Sequence, residues 1–227
     1  MGRVLPVAAA LLIAASAAAH DSGGHAPKVA GPVDGWVFPL AAPGTYRLPP
    51  IRKAADARLL DETGAPVRLA EALDGRLTLL AFVYASCPDL CPLASARMAE
   101  AQAMAAADPE LAGRVRLATL SFDPERDTPE VMAAYADAFR DPGIAAPDWL
   151  FLTAPDEAEM ARTLEAWDQP VDRTADEGAP FSHVLRVFLV DAAGQVRNIY
   201  SADFLDPRLV LNDLRTLELE EGRGRAD

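Results

Sequence analysis

Residues 77–92 read Leu77-Thr-Leu-Leu-Ala-Phe-Val-Tyr84-Ala-Ser-Cys87-Pro-Asp-Leu-Cys91-Pro92. The first eight residues form a nearly continuous apolar run, the pattern of a strand buried on both faces of a sheet. The next eight interrupt it with two prolines and hold both cysteines of the 227-residue chain. Each proline disfavours helical dihedrals in the residue before it, here Cys87 and Cys91. The expected arrangement is a turn at the strand's end carrying both thiols. A helix follows, with Pro92 as its first residue, and runs to about Ala107. Both sulfurs then sit near a helix N-terminus, where the macrodipole favours thiolate.

Working outward, residues 115–122 give a second core strand, followed by the turn Asp123-Pro-Glu-Arg-Asp127. Thr128-Pro129-Glu130 caps a helix reaching Arg140. Residues 149–152 read as a short strand and 156–167 as a helix. Residues 168–181 are a polar Gly/Pro-containing connection without readable structure, closed by His183. Residues 184–190 form a strand whose Asp-Ala-Ala-Gly194 turn leads into a partner at 196–200, and 206–217 form a last helix. Upstream, residues 59–69 look like a hairpin around Gly64. This order is α/β: a central mixed sheet flanked by helices, with the cysteine turn at the C-terminal edge of the first core strand. That is a thioredoxin-like plan with an N-terminal hairpin extension. The domain spans residues 46–217. A loose tether at 20–45 precedes it, and a tail at 218–227 is expected to be disordered.

The chain carries a net charge of −13, which argues against a nucleic-acid partner or an anionic membrane surface. Arg3, the apolar run 4–15 and the small residues 16–19 have the order of a signal peptide ending in an Ala-x-Ala-like site. The run falls short of the about 20 apolar residues that a span requires. Cleavage places the protein in the periplasm; an uncleaved segment would anchor it to the inner membrane. In an oxidising compartment two cysteines usually form a structural disulfide. A Cys87–Cys91 bridge closes so short a loop that it removes little unfolded-state entropy, and reads better as a redox or ligand pair.

The pair alone does not choose between soft-metal binding and dithiol/disulfide exchange. Of three histidines, His20 and His25 fall in the tether, so His183 is the one inside the fold. Two thiolates and an imidazole suit Cu(I), without excluding Cu(II) or zinc. Alternatively, His183 merely hydrogen-bonds in its loop. A turn and a helix cap account for Asp123 and Asp127; the alternative is a carboxylate near the cysteine turn that tunes the site or meets a partner. Met98 and Met104 are assigned to packing. His20 and His25 read as solvated tether residues. If cleavage follows Ala19, the alternative is an auxiliary Cu(II) site with nitrogen ligands.

Three motifs together carry a resemblance. Phe82-Val-Tyr-Ala-Ser precedes Cys87-Pro-x-x-Cys91-Pro, a second strand leads to Asp123-Pro-x-Arg-Asp-Thr-Pro129, and His183 precedes a strand ending Leu-Val-Asp-x-x-Gly. The combination closely resembles the Sco/SenC family of copper chaperones over about residues 46 to 217. The resemblance implies a thioredoxin-like fold that binds copper through Cys87, Cys91 and His183, with Asp123 and Asp127 as site neighbours. It further implies a role in assembling the CuA centre of cytochrome c oxidase, by delivering copper, by reducing the oxidase cysteines, or both. Family members are commonly held by an N-terminal membrane helix, whereas this segment looks cleavable. The competing function is a periplasmic thiol–disulfide oxidoreductase using Cys87 and Cys91. Against it, dedicated thioredoxin-like reductases resemble one another in a Cys-x-x-Cys spacing and a cis-proline beside the site. Here the spacing is Cys-x-x-x-Cys, and the nearest proline, Pro180, lies three residues before His183.

Overall fold

The apolar run becomes the middle of a sheet. The computed structural model of the chain describes residues 40–88, 90–140, 149–175 and 180–224. Residues 1–19, the tether to residue 39, and with them His20 and His25, lie outside the described residues. Among the described residues no helix is long and apolar enough to cross a membrane. The strands are β1 (Arg52–Lys53), β2 (Arg58–Asp61), β3 (Pro66–Arg68), β4 (Leu77–Val83), β5 (Val115–Ser121), β6 (Trp149–Thr153), β7 (Val171–Arg173), β8 (Phe181–His183), β9 (Val187–Val190) and β10 (Gln195–Tyr200). The helices are α1 (Leu69–Leu73), α2 (Leu90–Ala106), α3 (Pro129–Asp137), α4 (Glu157–Ala166) and α5 (Pro207–Gly224).

Eight strands form one mixed sheet in the order β1-β10-β9-β4-β5-β6-β2-β3. β4, β5 and β6 run parallel, while β9 runs antiparallel to β4. Every residue of β4 is buried, as expected of a central strand covered on both faces. On one face Trp167, which caps the end of α4, packs edge-on against Phe82 and Phe188 at ring separations of 5.9 and 5.0 Å. α2 packs against α5 and against β4 and β5, and α3 against β6 and β2. The fold is the expected α/β, thioredoxin-like arrangement, and the expected hairpin is present as β2–β3, attached to β6 at the sheet's edge.

Three expectations are corrected. α2 begins at Leu90, so Cys91 lies inside its first turn instead of preceding it. Proline is accommodated there because the first N–H groups of a helix have no intrahelical acceptor. The connection expected to lack structure carries strands at its described residues: β7 and β8 pair as a separate antiparallel ladder, with Val171 opposite His183 and Arg173 opposite Phe181. The segment expected to be a disordered tail continues α5 to Gly224. Buried Leu214 and Leu217 anchor this part of the helix, and its acids find distant cations: Glu218 and Glu221 reach Arg114, and Glu220 reaches Arg197.

Packing against α5 is already in place at residues 41–46. The Tyr46 hydroxyl donates to Asp213 Oδ1 at 2.6 Å, while Tyr200 and Asn198 donate to Oδ2 at 2.6 and 2.9 Å. Asp213 is buried on α5, so three donors replace the water its carboxylate loses. Gly44 N–H donates to Thr216 Oγ1 and Asn212 Nδ2 to the Ala41 carbonyl, which lays residues 41–46 along α5. Tyr46→Phe should therefore cost about 1.5–3 kcal/mol, the value of a hydrogen bond to a charged acceptor. Urea unfolding should show a lower midpoint with an unchanged slope; an unchanged midpoint would mean that residues 41–46 merely rest on α5.

Candidate metal centre

The sheet topology explains why His183 meets the cysteines. β4 and β5 are parallel and end at the same edge, and antiparallel β9 starts there. The segment entering β9 must pass that edge, and three residues separate the end of β8 from the start of β9. The main chain leaving β4 turns back at once, with Cys87 N–H donating to the Tyr84 carbonyl at 3.1 Å. α2 then starts and presents Cys91 in its first turn.

Cys91 Sγ lies 3.8 Å from His183 Nε2. Both cysteines are buried free thiols. The Cys91 thiol is pushed well above the ordinary cysteine range, first by its hydrogen bond with the Cys87 side chain and then by burial. The three side chains do not yet close on one point. Among the described residues no three His, Cys, Asp or Glu side chains are gathered tightly enough to hold an ion as they stand. The Cys91–His183 pair nevertheless has a ligand spacing. Bonds of about 2.3 Å to sulfur and about 2.0 Å to nitrogen, at a trigonal angle, span about 3.7 Å.

An aromatic cradle holds the imidazole. The His183 ring lies edge-to-face with Phe122 at 4.9 Å and with Tyr84 at 6.2 Å. Phe181 packs on both of those rings, at 5.3 and 5.2 Å. His183 Nδ1 is buried and finds no hydrogen-bond partner among the described residues. Among the described residues the ring is oriented by these aromatic contacts.

Asp127 and Asp123 separate into different roles. Asp127 is buried and its Oδ2 accepts from the Ala85 N–H at 2.8 Å and from the Ser121 hydroxyl. It thus ties the start of the cysteine turn to the end of β5. Burial holds its carboxyl above the usual carboxylate range, against the lowering effect of those two hydrogen bonds. Asp123 is turned to its own loop: its Oδ2 accepts from Arg126 Nη1 at 3.0 Å, and its backbone N–H donates to Ser121 Oγ. Thr128 caps α3 as expected, its Oγ1 accepting from Val131 N–H. Met98 is fully buried and Met104 partly so, as packing residues.

The structure also assembles residues that were not singled out from the sequence. Tyr84 and Phe122 each follow directly on a core strand, and the pairing of Val83 with Ser121 sets them side by side. The available signal was that both core strands end in an aromatic residue. On the other side of the turn, Ser95, one helical turn beyond Cys91, shares a 2.8 Å hydrogen bond with the Tyr135 hydroxyl of α3.

The family model described as SCO1/SenC matches residues 50–218, which is most of the chain. The chain is a member of the SCO1/SenC family. The SCO2 homolog of Bos taurus mitochondria is 29% identical over 157 residues, covering 66% of this chain and 56% of that protein. This SCO1/SenC chain therefore spans little more than half the length of the bovine relative. The structure of Bradyrhizobium japonicum ScoI with copper bound shares 27% identity and a TM-score of 0.59, covering 73% of this chain and 99% of that one. Arabidopsis thaliana ScoI with copper bound, at 21% identity, shares the fold with a TM-score of 0.64 over 74% of this chain and 98% of that one.

Proposed function

We propose that this protein carries copper as cargo, held by the sulfurs of Cys87 and Cys91 and by Nε2 of His183. The carrying observation is the 3.8 Å approach of Cys91 Sγ to His183 Nε2 at a sheet edge where the chain also delivers Cys87. The donor set is soft sulfur with one imidazole, which suits Cu(I) and also accommodates Cu(II). Copper entry requires both thiols to be reduced and to lose their protons, so loading releases protons and is blocked by the disulfide. As the one nitrogen donor beside two soft thiolates, His183 is the most easily displaced of the three ligands on Cu(I). Transfer would then proceed by ligand exchange, His183 leaving first, to an acceptor offering a more complete site. From the family resemblance, the acceptor is the CuA-type domain of cytochrome c oxidase.

Burial speaks against disulfide exchange as the main task. Exchange needs an accessible thiolate. Cys91 is fully buried and Cys87 is 8% exposed, which leaves little sulfur open to a bulky client disulfide. Export by cleavage after Ala19, with a periplasmic location, belongs to the same proposal, and the mass of the mature protein tests it. For copper, the reduced full chain should take up one Cu(I) per molecule in competition with a chelator and pass it to an apo CuA-type domain. Loading of the acceptor is read from the absorbance of the CuA centre after the second copper and oxidation. A reduced protein that binds no copper would overturn the reading; one that binds copper but never passes it on would limit the role to storage.

A further inference from the structure

The arm that carries His183 is held by little of its own. β7 and β8 are three residues each and pair only with one another, outside the eight-stranded sheet. An isolated two-stranded ladder of that size is not stable in water and takes its position from what it packs against. Gln169 Nε2, donating to the Val184 carbonyl at 2.8 Å, secures the exit from β8. Towards the opposite end, the Arg173 side chain reaches beyond the ladder to other elements.

Arg173 stands opposite Phe181 in the ladder, and its guanidinium carbon lies 5.1 Å from the centre of the Phe181 ring. Phe181 in turn packs on Tyr84 and Phe122, the two rings that flank His183. The same guanidinium reaches Glu157 in the first turn of α4, and Glu125 in the Asp123–Asp127 turn at 3.5 Å. One cation therefore joins the β7–β8 arm, the start of α4, the turn behind β5 and the aromatic cradle. We infer that Arg173 is a positioning residue for His183: by pinning the β7–β8 arm to Glu157 and Glu125, it sets how readily the imidazole leaves the cysteines. The inference rests on the reading of His183 as a copper ligand.

A solvated surface arginine is the plain alternative, and all three charged groups are about half exposed. Exposed pairs of this kind add little to global stability. The arm, however, opens locally, and local opening answers to the few contacts that hold it. The effect belongs in the arm's motion and in copper release, with the melting temperature unmoved.

The test uses the reduced full chain, Cu(I) alone as probe, and a competing chelator to read dissociation. Arg173→Gln should speed Cu(I) release about fivefold, the combined weight of one exposed cation–π contact and two surface pairs. In metal-free protein the amide hydrogens of β8 should exchange faster by a similar factor, with the melting temperature of wild type. The charge-swapped double variant Arg173→Glu with Glu157→Arg should restore both rates only in part, since it regains the pair with position 157 but neither the Phe181 ring contact nor the pair with Glu125. Rising salt should bring wild-type release towards that of Arg173→Gln while leaving the variant unmoved. Unchanged copper release overturns the assignment whatever the exchange rates do, and so does loss of protection across the whole sheet with a fallen melting temperature. Were copper retention indifferent to His183→Ala, the copper reading itself would fall. The exchange measurement would still decide whether Arg173 pins the arm.

Discussion

His183→Ala is expected to weaken Cu(I) binding by roughly a hundredfold while leaving the metal-free fold as stable as wild type, within about 1 kcal/mol. The two halves of that expectation have separate origins. Among the described residues Nδ1 of the ring has no hydrogen-bond partner, and the contact of the ring with Cys91 Sγ is long at 3.8 Å. Removing it strands no buried partner and forfeits only packing against Phe122 and Tyr84. With copper loaded, the loss is one of three ligands. Two thiolates still provide a linear site for Cu(I), so binding weakens without vanishing, and Cu(II), which favours nitrogen more, should suffer further. Exchange of the Cys87–Cys91 thiols with a small disulfide should proceed at the wild-type rate, because the imidazole takes no part in it. Chelator competition and thiol-exchange kinetics on the same preparation read both halves. Copper affinity equal to wild type would remove His183 from the site, and a collapse of thiol exchange would make the histidine a redox element instead.

The parts of this structure that a sequence can state are those decided locally. β4 and β5 announce themselves as apolar runs because both faces of a central strand are covered. The cysteine turn is marked by its prolines, and Thr128, Pro129 and Asp156 mark the starts of α3 and α4. What was misread depends on partners far along the chain. β7 and β8 are too short and too polar to show a period. They are ordered by Phe181 meeting Tyr84 and Phe122, and by Arg173 meeting Glu125 and Glu157. Residues 218–224 look like a frayed tail until Arg114 and Arg197 supply charges to their acids. α1 has no capping side chain of its own at Arg68. The Asp56 carboxylate, fourteen residues upstream of Ala70, accepts from the Ala70 N–H instead. The site divides the same way. Cys87, Cys91 and His183 could be nominated from residue chemistry and family resemblance, but the cradle that orients His183 exists only once the strand ends are aligned.

The largest stability effect near the site should come from Asp127→Ala, at about 2–4 kcal/mol, with Asp127→Asn far milder. Both of the hydrogen bonds described for this carboxyl go to one oxygen, Oδ2, from the Ala85 N–H and the Ser121 hydroxyl. Alanine leaves two buried donors without an acceptor, each costing about 1–3 kcal/mol, partly offset because a carboxyl is no longer buried. Asparagine can place its carbonyl oxygen where Oδ2 stood and keep both bonds. The sign of the pH dependence follows from burial, which holds the folded Asp127 carboxyl above its unfolded value. Protonation then favours the folded state: the stabilisation is complete below the unfolded pKa and is lost as pH rises through the folded one. At neutral pH wild type carries a desolvated charge that asparagine does not. The stability of Asp127→Asn relative to wild type should therefore rise between about pH 4 and pH 7, with the two converging in acid. Denaturant midpoints of the three proteins at both pH values test this. Equal losses for Ala and Asn, or wild type gaining on Asn as pH rises, would sink it. Because Ala85 lies two residues before Cys87, the same comparison reaches the metal: Asp127→Ala should loosen the cysteine turn and speed copper release, and Asp127→Asn should not. That outcome would make Asp127 an oxygen that holds the turn in place, with its charge a cost of burial and not part of how the site holds copper.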